Sequence, residues 1–137
     1  VDCGIPVMPH IGLLPQRIMA SGGYRVAGRS EDEAEELLQS ALALQEAGAF
    51  ALVLECMPSS LAEKISRALE IPTIGIGSGV GCDGQVQVIN DILGLFDDFS
   101  PKHSRRYAEI GKTMREAIAA YADDVKNQKF PGPENSF

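Results

Sequence analysis

The chain has 137 residues, with 12 Lys and Arg against 19 Asp and Glu, 45% apolar residues and no Trp. That length suits one domain, and the apolar share is enough for a packed core, which excludes wholesale disorder. The net charge of −7 argues against a nucleic-acid or anionic-membrane partner, because both call for a basic face.

The first residues, Gly4-Ile-Pro-Val-Met8, read as a strand near residues 5–8. They lack the basic start and long apolar stretch of a signal peptide. With no initiator Met before Val1, the chain reads as a piece of a longer protein. A stretch from Gly12 to Arg29 follows, long for a loop and holding Pro15, Ser21, Gly22, Gly23, Tyr24 and Gly28. Long ordered loops are usually functional.

The first helix is expected over about 31–47. Ser30 and Glu33 make a capping box, and Glu31, Asp32, Glu33, Glu35 and Glu36 sit near the positive end of the helix dipole. That acidic run is a solvated face opposite the apolar stripe of Ala34, Leu37, Leu38, Ala41 and Leu42. A second strand is expected near 51–55, where four apolar residues in a row suit a parallel strand covered on both faces. A second helix is expected over about 61–69, capped by Ser60 and Glu63. Strands follow near 73–77 and 86–90. The last helix is expected over about 105–126, with Tyr107, Ile110, Met114, Ile118, Tyr121 and Val125 on one stripe. The tail 127–137 is an extended arm, since Pro131 and Pro133 cannot continue a helix. Strands alternating with amphipathic helices predict an α/β fold with a parallel sheet, in a single segment over 1–137.

In such folds the ligand site lies at the C-terminal strand ends. His10 stands after the first strand and Glu55-Cys56 after the second. After the third come Gly77, Ser78, Gly79 and Gly81, then Asp83-Gly84-Gln85 on the same rim. Glu55 directly follows a buried strand, where one-sided desolvation tends to raise a carboxyl pKa and suits it to general acid–base work. The other reading is a structural carboxylate bonded to loop amides. His10 is a packing residue, a proton shuttle, a substrate hydrogen-bond donor or a metal ligand. No second His stands near it, and His103 reads as surface, so no His/Cys metal cluster forms. Cys3, Cys56 and Cys82 are unevenly spaced and read as reduced thiols of a cytoplasmic protein, with Cys56 buried rather than nucleophilic. The glycines of Gly75–Gly81 fail the dinucleotide fingerprint, because a turn and a strand-like run follow instead of a helix. They let backbone pass close to a ligand or a neighbouring strand, or serve packing alone.

Six motifs occur in order: Gly4-Ile-Pro-Val-Met-Pro-His10-Ile-Gly-Leu-x-Pro-Gln16, Gly22-Gly-Tyr-x-Val-x-Gly-Arg29, Ala41-Leu-x-Leu-x-Glu-Ala-Gly-Ala49, Leu52-Val-Leu-Glu-Cys56, Ile71-Pro-Thr-Ile-Gly-Ile-Gly77 and Asp83-Gly-Gln85. Together they resemble the ketopantoate hydroxymethyltransferase family over nearly the whole chain. The resemblance implies a (βα)8 TIM-type barrel of the phosphoenolpyruvate mutase/isocitrate lyase type, of which this chain looks like strands five to eight. It implies hydroxymethyl transfer from 5,10-methylenetetrahydrofolate to 2-oxoisovalerate, a step of pantothenate synthesis. It also implies a Mg2+ ion on the oxo acid, a decameric assembly and a small-molecule rather than a nucleic-acid or membrane partner. By position, Glu55 matches the family's catalytic base and His10 its substrate-binding His. The family's metal-ligating carboxylates and substrate-binding Lys belong to the first half-barrel and have no counterpart here. Pro9 stands where the family usually has Gly, Leu14 where it has Thr, Ser78 where Ala is common and Asn90 where His is common. Two rival expectations are an inert fragment of that enzyme and a homologous oxo-acid binder or carbon–carbon lyase.

Overall fold

Four consecutive apolar residues, Ala51 to Leu54, are too few for a helix of their own and are driven out of water as a strand. The computed structural model describes residues 1, 3–17, 19, 23–96 and 98–137, with backbone only at residue 17, so Ser21 and Gly22 of the long loop lie outside the described residues. It places this run inside a four-stranded parallel sheet. The strands are β1 (His10–Gly12), β2 (Leu52–Glu55), β3 (Thr73–Ile76) and β4 (Gly84–Gln85), side by side in chain order. Glu55 lies opposite Gly12 on one side and Ile76 on the other.

Two helices make the crossovers: α1 (Glu31–Glu46) from β1 to β2 and α2 (Ser59–Ala68) from β2 to β3. They share one core, in which Leu38 and Ala41 of α1 and Leu61, Ala62 and Ile65 of α2 meet Ile11, Leu52 and Leu54 of the sheet. Leu52, Leu54 and Ile65 are fully buried, each worth about 1.5–3 kcal/mol of transfer free energy. Both helices therefore cover the same face of the sheet. The alternate residues Val53, Glu55, Ile74 and Ile76 are only half-buried, so the expected cover on both faces of β2 is incomplete within this chain.

Helix α1 begins as its capping residues dictate. The Ser30 hydroxyl accepts from Glu33 N, while the Glu33 carboxylate accepts from Arg29 N, one residue before the cap. Helix α2 departs from expectation. Pro58 is its cap, its carbonyl takes the Leu61 and Ala62 amides, and Ser60 lies inside the helix.

The first strand also departs. Residues 5–8 run beside β2, with Phe50 N donating to Val7 O and Val53 N to Pro9 O, but the ladder starts only at His10. Pro6 and Pro9 have no N–H to give it. His10 thus opens β1 rather than following the strand. The expected strand near 86–90 is replaced by the short β4 and a one-turn helix, α3 (Ile89–Ile92). Val86 N makes a bond to Gly75 O, after which Val88 O turns back to accept Asp91 N and Ile92 N. Val86, Val88 and Ile89 are exposed, so no packing holds them extended.

Residues Val1–Val86 form one compact unit and Gln87–Phe137 another. The second unit carries α4 (Ile110–Lys126), which starts five residues later than expected from position 105. Its stripe of Met114, Ile118, Tyr121 and Val125 is exposed within the chain, and Tyr121 meets the Phe130 ring edge-on at 5.6 Å. The tail is not wholly extended, because Pro133–Asn135 makes a 3-10 turn. Among the described residues no helix is long and apolar enough to cross a membrane.

The expectation for Asp83 is corrected. It precedes β4, whose Gly84 pairs with Ile74, so Asp83 stands at the N-terminal rim of the sheet, opposite Glu55. There its Oδ2 accepts from Thr73 N at 2.8 Å and from Thr73 Oγ1 at 2.9 Å, and Ser66 Oγ lies 2.7 Å from the same hydroxyl. The Thr73 amide first and its hydroxyl second hold the Asp83 carboxyl below its ordinary range. A depressed carboxyl stabilises the fold above that range, and the contribution is lost as pH falls through the depressed value. Asp83→Asn is therefore expected to melt earlier than the parent at neutral pH. The gap should close on acidification, which thermal unfolding over a pH series would check.

Candidate active site

The C-terminal end of β2 is built by backbone bonds to three neighbours. Glu55 O accepts from Leu13 N, Cys56 N donates to Ile76 O, and Cys56 O accepts from Ala27 N, each at 2.9 Å. Cys56 turns sharply there, with φ of +48°, a conformation rare for a residue with a side chain. Gly12 makes this approach possible. Its φ is +101°, and a Cβ at that position would fall inside contact distance of the Glu55 carbonyl oxygen.

His10 and Glu55 are half-buried and alternate along their strands with the buried Ile11 and Leu54. His10 Nε2 comes within 3.0 Å of Glu55 Oε2, with the two side chains 29% and 18% exposed. The heavy-atom distance is that of an ion pair. Yet Nε2, itself shielded from solvent, makes no aligned hydrogen bond to Oε2 or to any other described atom. We read the contact as close packing of a carboxylate and an imidazole whose donor is still to be used. An unsatisfied buried donor costs about 1–3 kcal/mol, and a third group bonded to it recovers that cost.

Burial first and the Glu55 charge second push the Cys56 thiol up. A thiol held protonated is a poor nucleophile, in line with the structural reading of this residue. The loop after β3 resolves the two readings of the glycines for Gly79 and Gly81. A Cβ at Gly79 would strike Ser59, and one at Gly81 would strike Glu63, so α2 packs directly on these backbones. His103 is exposed and belongs to the second unit. Among the described residues no three His, Cys, Asp or Glu side chains converge as a metal requires. The Mg2+ implied by the resemblance finds no ligand set among the described residues.

A cleft of about 420 Å³ adjoins His10, walled by Gly12 and Leu14, by Arg25 and Ala27 of the long loop, and by Glu33 and Glu36 of α1. Glu55 does not line it. Arg25 and Ala27 carried no sequence signal beyond their place in that loop. Gly12 did, as a Gly directly after a strand. Ser78 stood out only as a departure from the family's usual residue.

The model of the family described as ketopantoate hydroxymethyltransferase matches residues 1–133. The chain belongs to the ketopantoate hydroxymethyltransferase family. Family members of known name agree. The chain is 51% identical to the 3-methyl-2-oxobutanoate hydroxymethyltransferase of Enterococcus faecalis, with 100% of this chain and 50% of that protein covered. It is 55% identical to the enzyme of the same name from Syntrophotalea carbinolica, covering 100% of this chain and 51% of that protein. For the Chloroflexus aurantiacus protein of that name the figures are 57%, 99% and 48%. The chain spans about half the length of the curated relatives it matches.

Because Gly12 alone permits the β1–β2 approach beside Glu55, Gly12→Ala is expected to lower the unfolding free energy by at least about 1–3 kcal/mol, the cost of forcing a side chain into such a backbone region. Urea denaturation measures this. An unchanged midpoint would show that the backbone at 12 relaxes freely.

Proposed function

We propose that this chain supplies the C-terminal half, strands five to eight, of a (βα)8 barrel that transfers a hydroxymethyl group from 5,10-methylenetetrahydrofolate to 2-oxoisovalerate, giving ketopantoate. The observation that carries the reading is the winding of the sheet. Its strands follow in chain order with both crossover helices on one face, while His10 and Glu55 share the other. A doubly wound sheet reverses its strand order and puts helices on both faces. A barrel does neither, and its inner face leads to the catalytic rim. A full barrel takes about 250 residues, so a chain of this length accounts for about half. The relatives' names and the match over residues 1–133 support the reaction.

In this reading the reacting carbon of the oxo acid lies next to a ketone and must lose a proton before it attacks the one-carbon unit. Glu55 takes that proton. Its carboxylate sits at the end of a strand whose backbone is held on both sides, which fixes the base relative to the substrate. His10 Nε2, which makes no hydrogen bond to the described atoms, bonds an oxygen of the oxo acid beside Glu55. The divalent ion of the family supplies electrostatic stabilisation of the enolate when bound, and its ligands fall to the other half of the barrel.

Glu55→Gln in the complete barrel is expected to cut ketopantoate formation by about 10²–10⁴-fold, the usual cost of losing a general base. Near-normal turnover would remove Glu55 from that role. The isolated chain leaves the Glu55 face of its sheet half-open, and its described residues bring together no metal-ligand set. With oxo acid, methylenetetrahydrofolate and Mg2+ it is expected to form no ketopantoate, and product in that assay would refute the half-barrel reading.

A further inference from the structure

Ser78 is fully buried in the turn after β3, between two glycines of positive φ, Gly77 and Gly79. Its hydroxyl donates to Leu54 O at 2.8 Å and lies 3.3 Å from Ile76 O. The single proton goes to the nearer carbonyl, with the farther one sharing weakly. These two oxygens belong to adjacent strands at the same rim. Ile76 O already takes the Cys56 amide at 2.9 Å, so the Ser78 hydroxyl uses a second lone pair rather than replacing a ladder bond.

The Leu54 carbonyl belongs to the peptide unit that carries the Glu55 nitrogen. The next peptide, at Glu55 O, is held by Leu13 N at 2.9 Å. Between these two fixed planes hangs the Glu55 side chain. We infer that Ser78 is a positioning residue for Glu55, its buried hydroxyl fixing the tilt of the Leu54–Glu55 peptide and with it the place of the carboxylate beside His10. Packing alone does not call for the hydroxyl, since a methyl group would fill the same space without bringing a polar atom into the core. The inference rests on the reading of Glu55 as the base.

Loss of the hydroxyl leaves both carbonyls with their ladder donors, so the sheet persists while the Glu55 peptide gains freedom to tilt. In the complete barrel, Ser78→Ala is expected to lower kcat about 3–10-fold, the equivalent of one net hydrogen bond. KM should stay within about twofold, because substrate binding through His10 is untouched. In the Glu55→Gln background the same substitution should add almost nothing, since a residue acting through another has no effect once that one is gone. In this chain on its own, Ser78→Ala should weaken the nuclear Overhauser contact between the His10 ring and the Glu55 side chain. Thermal unfolding confirms that the variant is folded. Where it is not, Ser78→Cys, of similar volume and with a weak donor, takes its place and should show the same kcat loss in smaller measure. An unchanged kcat, a loss carried by KM, a full additional loss in the Glu55→Gln background or an unchanged His10–Glu55 contact would each overturn the inference. Near-normal turnover of Glu55→Gln alone would instead overturn the reading of the base, which the magnetic-resonance contact does not depend on.

Discussion

The left-handed turn at Cys56 is the constraint on which the rest of the site depends. A residue with a side chain does not hold φ near +48° unless its surroundings over-determine it. Here three elements do so. The third strand takes the Cys56 amide, the long loop supplies the Ala27 amide to its carbonyl, and Leu13 at the end of the first strand bonds the carbonyl just before it. The turn ends the buried strand within one residue, and Glu55 is the last residue before it. Loop, strand ends and site are thus one hydrogen-bonded assembly. Ala27 N makes its bond to Cys56 O four residues before α1 begins at Glu31.

What was legible in the sequence was governed by local chemistry. The cap of α1 was readable because Ser30 and Glu33 satisfy amides within one turn of themselves. The buried strand was readable because Leu52 and Leu54 have nowhere else to go. The departures came where more than a residue pair's spacing decides. The Ser60–Glu63 pair has the right spacing for a cap, yet Pro58 sets the start of α2. Valines and isoleucines near 86–90 have strand propensity, but Val86, Val88 and Ile89 are exposed and the chain turns into a one-turn helix. Asp83 was assigned to the wrong rim because the sequence does not reveal that the chain has already crossed back beneath the sheet before β4 begins.

The site residues were legible in the same partial way. Glu55 and His10 stand at strand ends in sequence, and the parallel register brings their side chains to 3.0 Å. The spacing of 45 positions between them carries no hint of that contact. Ser78 could not have been picked out by type or spacing, because its meaning lies in which two carbonyls it meets. In the half-barrel reading, the face that holds His10 and Glu55 gains its low dielectric only when the remaining strands cover it. Covering removes water from both groups and strengthens every electrostatic interaction between them and a bound oxo acid.

The prolines around β1 protect the chain as well as shorten its strand. Bonds to β2 are made at Pro9 and Leu13, so by the alternation of a parallel ladder the backbone groups of His10 and Gly12 face the open edge of the sheet. An uncovered edge is a template on which a stray strand from another chain can grow into an aggregate. Pro6 has no N–H to offer a stray strand, and Pro15 opens a 3-10 turn soon after β1, so the exposed stretch is short. The net charge of −7 adds repulsion between copies. The prolines flanking β1 thus act as gatekeepers, limiting the length of sheet edge that another chain could extend.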